Sequence, residues 1–450
     1  SQMMLWPGAI INYEGSDMNT IQFLPGTQPG KPYQLDGITQ MIQNSINNLE
    51  YILISSIRRA VQSKKKKVAF LQGHGELTYA QTQRARALIA PYFNVDDVTI
   101  DGKIDALDNV DGLIIARPKN QFSDKDLFVI DQFVLKGGRL ICLLDALYLP
   151  EDTLNAKGMT HTTRINTGLE RMIFDYGMKI NENYVIDARC APIVVPFAKQ
   201  SLLPWFFHVL ATPTSHPIAR NLEPVSLKYT SEIQFVENEN VSLTPILTSS
   251  TNSNVTGLAP MVSLGMPLNY GAKPELIANP DDEKNKRCLA GLSEGFYTSY
   301  YKNRIVDDYA NNKDAKFVAE STKESKVLLI GNGRFIENHY DSMPDKVTGK
   351  MMYRPIQLNE LRMDPTLAEM QIPLFFGNQE FFQNMVDYVM GDNSVLDIRS
   401  RQIDIHELDN EKVKEEAQFY KLLNMTLPSL LVLLFAFVMS LIRKRKYVRN

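Results

Sequence analysis

The chain has 450 residues, enough for two or three domains, and its 44% hydrophobic and 22% charged shares are ordinary for a globular protein. A formal net charge of −3 with only local basic clusters gives no footprint for nucleic acid. Three well-separated cysteines (Cys142, Cys190, Cys288) without a CxxC, and six scattered histidines without an HExxH, support neither a disulfide framework nor a metal site.

The chain opens Ser1-Gln2, with no signal peptide, and reads as a fragment or processed form whose upstream segment is missing. Residues 9–24 pattern as a β-hairpin. The loop Pro25 to Pro32 has Gly26 and Gly30-Lys31 in P-loop order. It has one residue too few between its glycines, and Pro32 stands where a hydroxyl must bind Mg²⁺, so it is rejected as a nucleotide site. Asp36 is placed to cap a long helix to about residue 62, with Ile38, Ile42, Ile46, Leu49, Leu53 and Ile57 as its apolar stripe. Lys64 to Lys67 then read as a solvated run at the negative helix end.

An α/β region follows. Val68–Leu71 reads as a buried strand, Gly73-His74-Gly75 as a tight turn, and Tyr79–Tyr92 as a helix after Glu76. Asn94–Ile100 and Asp111–Pro118 are further strands. Ser123 caps a helix with Asp126 as the acidic member of its box, and Gly137-Gly138 closes it ahead of the strand Arg139–Ala146. This alternation predicts a mainly parallel sheet flanked by helices on both faces.

Beyond residue 150 the pattern loosens. Thr167–Ile180 is predicted helical, Tyr184–Ala188 a strand, Leu247–Gly257 a polar loop and Lys286–Phe296 a strand. Lys326–Tyr340 repeats the earlier pattern: apolar strand, Gly331-Asn332-Gly333 turn, helix start. Gln379–Asp392 is amphipathic, with Phe382, Met385, Val386 and Val389 on one side.

Leu422 to Ile442 carries no charge and includes Pro428, Leu433, Phe435 and Phe437. That is about 21 residues, against roughly 20 needed to cross a bilayer. Arg443, Lys444, Arg445 and Lys446 follow it, so the positive-inside bias places the tail in the cytoplasm and the preceding body outside. Glu411–Lys421 is expected to continue the same helix. The resulting division is a hairpin and long helix (1–63), an extracytoplasmic α/β domain (64–400), a juxtamembrane helix (401–421), a span (422–442) and a basic tail (443–450).

His74, on a turn beside Glu76, is the best isolated catalytic candidate. A general base needs a nucleophile in reach, and no GxSxG or GxCxG is present, while Cys142 lies inside an apolar strand. Neither Gly-rich turn completes a GxGxxG. The glycines read as turn formers, with the turns Gly73-His74-Gly75-Glu76 and Gly331-Asn332-Gly333 kept as candidate interaction surfaces and no catalytic, cofactor or metal residue assigned.

Four blocks in order carry a resemblance: "VAFLQGHGEL", "DGLIIARPKNQFSDKDLFVIDQFVLKGGRLICLLD", "LAGLSEGFYTSYYKNR" and "FFGNQEFFQNMVDYVMGDNSVLDIRSRQI". With the C-terminal span, they resemble the gliding-motility-associated ABC-transporter auxiliary (GldG) family of Bacteroidetes. The resemblance implies a domain similar to class I glutamine amidotransferases without their catalytic apparatus, and a second, N-terminal anchor. It also implies a polytopic permease and a cytoplasmic ATPase as partners, and no cofactor. Gly331-Asn332-Gly333-Arg334 departs from that family, whose members often have acidic residues in this turn. A hydrolase or amidotransferase-like enzyme centred on His74 and Glu76, and a structural protein bridging envelope components, are the alternatives.

Overall fold

The computed structural model describes residues 8–13, 19–22, most of 49–61, 65–195, 201–269, 275–303, 317–345, 348–355, 367, 374–391 and 410–447. They belong to two compact units, Ser1–Arg401 and Gln402–Asn450.

The first unit is built on a 12-stranded sheet. Its leading strands and helices alternate: β1 (Lys67–Leu71), α1 (Tyr79–Ile89), β2 (Asn94–Val98), β3 (Gly112–Ala116), α2 (Asp124–Leu135) and β4 (Arg139–Leu143). Later come β5 (Cys190–Val195), β6 (Ser201–Pro213), β7 (Val241–Thr248), β8 (Cys288–Gly295), β9 (Ser325–Ile330) and α3 (Asn378–Val389). The spatial order is β5-β6-β7-β8-β9-β4-β3-β1-β2. Strands β2, β1, β3, β4 and β9 pair in parallel. From β9 through β8, β7, β6 and β5 the pairing is antiparallel. The alternating pattern thus marks the parallel core, and the looser region supplies an antiparallel extension that its short apolar runs did not announce.

Side chains of successive strand residues point to opposite faces. Val68, Phe70, Ile114, Ile141 and Leu328 join one core with Ala85 and Ile89 of α1 and Phe381, Phe382, Met385, Val386 and Val389 of α3. Ala69, Leu71, Leu113, Ile115, Leu140 and Leu329 join the other with Leu127, Ile130 and Val134 of α2. Helices therefore cover both faces of the parallel strands. The caps follow the sequence: the Ser123 side chain accepts from the Asp126 N–H, and Gly137 closes α2 at φ 95°.

Four expectations are corrected. The helix expected over Thr167–Ile180 covers Leu169–Asp175; Gly177 then turns at φ 90° and Met178–Ile180 pairs as a strand with Ile233–Phe235. A side chain at Gly177 would meet Leu243 Cδ2 at 2.9 Å, so the bend is tied to packing. In the expected loop Leu247–Gly257, Leu247 and Thr248 end β7 and Ser253–Val255 pairs with Val185–Asp187. After Gly331-Asn332-Gly333 no helix forms. Phe335 and Ile336 turn into the core beside Phe381, and Asn338 binds the Ala80 and Gln81 carbonyls of α1 instead. In the first long helix the described part of 49–61 is helical, but it buries Ser56 and Ala60 and exposes Leu49 and Ile57. Asp36, Ile38, Ile42 and Ile46 lie outside the described residues. The hairpin forms as expected, Gly8–Ile11 against Asn19–Gln22.

The second unit contains one uninterrupted helix, α4 (Asn410–Tyr447), with Pro428 inside it. The charged Glu411–Lys421 segment and the apolar stretch form one element. Its Gln418–Lys446 stretch of 29 residues is apolar and long enough to cross a membrane. Leu422, Leu433, Phe435, Phe437 and Ile442 are exposed along it, and Lys444, Arg445 and Lys446 fill its last turn.

Candidate functional site

The parallel strands reverse direction of growth between β1 and β3: β2 lies to one side of β1, and β3, β4 and β9 to the other. In open α/β sheets, ligands enter at the carboxyl ends of strands at such a switch point. The turn Gly73-His74-Gly75 follows β1, Arg117 follows β3, Asp145 follows β4, and Gly331-Asn332-Gly333 follows β9. The fold thus gathers both Gly-rich turns at one edge of the sheet.

Gly73 (φ 124°) and Gly75 (φ 76°) are exposed and adopt conformations that side chains disfavour. Between them His74 turns inward and is buried, as is Glu76. The His74 N–H donates to Glu76 Oε2 at 2.7 Å, while Nδ1 lies 3.3 Å from Glu76 Oε1. On the other side Nε2 lies 3.1 Å from Asp126 Oδ2, and Phe122 stacks on the ring at 3.7 Å and 6°. Asp126 Oδ1 in turn accepts the Gly102 N–H, and the His74 carbonyl accepts the Lys119 and Asn120 amides. Burial works against the charged ring. The hydrogen bonds and charges of Glu76 and Asp126 outweigh it and hold the His74 pKa above the usual imidazole value. Chemically this is an imidazole held between two carboxyl groups, a setting that favours its charged form. Both ring nitrogens face carboxylates, an arrangement unlike a base poised beside a nucleophile. The anion held by this turn is its own Glu76.

The second turn is committed internally. The Gly331 N–H donates to the Leu289 carbonyl, the Gly331 carbonyl accepts from the Ser231 N–H at 2.7 Å, and the Asn332 amide donates to the Lys228 carbonyl. A Cβ on Gly331 would lie 2.2 Å from the Ser231 carbonyl oxygen, so glycine is required by a backbone crossing. The Gly333 N–H donates to Asp145 Oδ1 at 2.6 Å.

Around it runs an ion network. Arg117, at φ 56°, sends Nε to Asp145 Oδ2 at 3.0 Å and Nη1 to Glu337 Oε2 at 3.2 Å. Arg334 Nη1 meets Glu151 Oε2 at 2.5 Å. Burial pushes the Asp145 carboxyl above its ordinary value; the Arg117 charge and the Gly333 amide reduce that rise without cancelling it. The space among Arg117, Asp145, Tyr184, Lys228, Tyr229 and Arg334 is about 10 Å³, room for one water at most. Where related architectures open a crevice, this chain carries paired charges. A larger groove of about 400 Å³ lies at the amino ends of β3 and β4, beside Asp111, Phe133, Lys136 and Lys323, away from both turns.

Sequence reasoning located the two turns but not Arg117, Asp145, Glu337 or Phe122. A usable signal was present: "LIIAR" and "ICLLD" each end an apolar strand on a charge, which places charges at the carboxyl edge. Among the described residues no group of three or more His, Cys, Asp or Glu is arranged to hold a metal ion.

Residues 65–361, which span the parallel sheet, both turns and the network, match the ABC_transp_aux family, described as an ABC-type uncharacterized transport system. The chain belongs to this family. An "Uncharacterized protein" of Borreliella burgdorferi is 22% identical to this ABC_transp_aux chain over 313 residues, covering 67% of this chain and 56% of that protein. The chain therefore spans little more than half the length of that relative. Among solved structures, the mmIFT52 N-terminal domain aligns over 76% of this chain and all of its own, at 11% identity and a TM-score of 0.40. The family description supports an auxiliary part in an ABC-type transport system.

Proposed function

We propose that the chain is a membrane-anchored, non-catalytic auxiliary subunit of an ABC transporter of the gliding-motility type. Its α/β body stands outside the membrane, binds a substrate or partner protein, and is coupled through α4 to a polytopic permease. A separate cytoplasmic chain supplies the ATPase. The observation that carries this reading is α4 itself: a family-matched body and a 29-residue apolar helix on one polypeptide, ending in Lys444, Arg445 and Lys446. The basic end favours a cytoplasmic tail and an extracytoplasmic body. The carboxyl edge supports a binding role over catalysis, since His74 faces two carboxylates and Arg117 and Asp145 are paired. The exposed Gly73 and Gly75 offer a contact surface at the switch point.

Co-purification in mild detergent tests this. The full chain is expected to bring a permease and an ATPase with it, and deletion of residues 422–450 to lose both. Full solubility of the intact chain without detergent, or turnover of a substrate by the purified chain that His74→Ala abolishes, would favour the amidotransferase-like alternative. Retained assembly after the deletion would favour the envelope-bridging one.

A further inference from the structure

Three stretches of chain meet at the His74 ring and a fourth braces one of them. Its own turn brings Glu76, α2 brings Asp126, the segment before α2 brings Phe122, and the segment after β2 brings the Gly102 amide through Asp126. A neutral imidazole has a single N–H. It can serve one carboxylate, and its bare nitrogen then opposes a buried oxygen on the other side. Only the imidazolium donates to both. The two contacts differ in what remains when the proton leaves. Glu76 keeps the His74 backbone N–H at 2.7 Å within the same turn. Asp126 lies 52 residues away in sequence, and its other oxygen is already held by Gly102 at 2.8 Å.

We infer that His74 is a proton-operated latch. As imidazolium it fastens the turn after β1 to the first turn of α2; on losing its proton it releases the Asp126 side, and the turn stays joined to the 117–122 segment only through the His74 carbonyl, which accepts the Lys119 and Asn120 amides, and the Phe122 stack. The charges set against the ring are Glu76 on its own turn and Asp126 on α2. Asp101, Lys119, Asp124 and Lys125, their sequence neighbours, are exposed and screened by solvent. Because the folded state favours the charged ring, the latch is closed below the ordinary histidine pKa and opens as pH rises through the higher folded value. The consequence is a looser join between the turn after β1 and the start of α2 on the alkaline side. All residues of the latch lie within the first unit.

Hydrogen exchange by mass spectrometry on the full chain in detergent micelles tests it, with rates corrected for intrinsic pH dependence. Peptides covering 72–77 and 117–126 are expected to lose protection about tenfold between about pH 6 and about pH 8.5, while a peptide from β4 stays constant. Asp126→Asn removes one of the two carboxylates that hold the proton, and should move the midpoint to lower pH. His74→Gln should show low protection at both pH values. Equal protection of the wild type at both, parallel loss in β4, or an unmoved midpoint in Asp126→Asn would each overturn the latch. The wild-type and Asp126→Asn profiles decide the matter even where His74→Gln does not fold.

Discussion

Arg117 grips Asp145 at 3.0 Å from a backbone at φ 56°, a conformation that arginine seldom adopts. Both side chains are nearly fully buried, at 9% and 10% exposure. Removing one partner of such a pair leaves an uncompensated charge. Arg117→Met is therefore expected to cost about 3–5 kcal/mol in urea unfolding. Asp145→Asn should cost less, because the amide oxygen still accepts from Gly333 or Arg117.

Gly331 and Gly349 form a matched test of why glycine is needed. A Cβ at Gly331 would collide with the Ser231 backbone, whereas Gly349 has open space and only a positive φ of 65°. Gly349→Ala is expected to cost about 1 kcal/mol. Gly331→Ala should cost distinctly more, with expression of folded protein sharply reduced, because a backbone neighbour cannot swing aside as a side chain can. Thermal unfolding of the two variants compares them.

Asp131 of α2 is completely buried and accepts from Tyr176 Oη (2.8 Å), Ser299 Oγ (2.6 Å) and the Tyr300 N–H (3.0 Å). Burial raises its pKa despite these donors. Asp131→Ala strands several donors at once and is expected to destabilise by about 3 kcal/mol or more, measured by denaturant titration. Asp131→Asn, which keeps an acceptor oxygen, should recover part of this.

The sign of the His74 effect on stability follows from its raised pKa. Its contribution is complete below the unfolded-state value and fades as pH rises through the folded one. The difference in Tm between wild type and His74→Gln should be largest near about pH 6 and shrink toward about pH 9. A difference that grows with pH contradicts a raised His74 pKa.

Burial raises the pKa values of all three thiols, Cys142, Cys190 and Cys288. Native protein at about pH 8 should resist maleimide, while denatured protein labels fully. Rapid native labelling of Cys142 would reopen the question of a nucleophile.

The parallel core was legible because fully buried strands read as unbroken apolar runs, as in Gly112–Ala116, and because Ser123 and Gly137 mark the ends of α2. The antiparallel extension was not. Its strands are set by pairing partners far away, and the same holds for the separate two-stranded sheet in which Ser253–Val255 looks like a loop until Val185–Asp187 lies beside it. At the edge of the sheet, sequence distinguished His74 by its glycines but could not show that Asp126 answers it from 52 residues away. Arg117 and Glu337, 220 positions apart, are joined only by the fold.

Pro428 lacks the N–H that would bind the Asn424 carbonyl, so one rung is missing from α4. Nearby hydroxyls of Thr426 and Ser429 already turn back to the Leu422 and Met425 carbonyls. In hydrocarbon an unmet carbonyl seeks a donor on another helix. With that rung missing, α4 is easiest to bend at this point, whatever surrounds it.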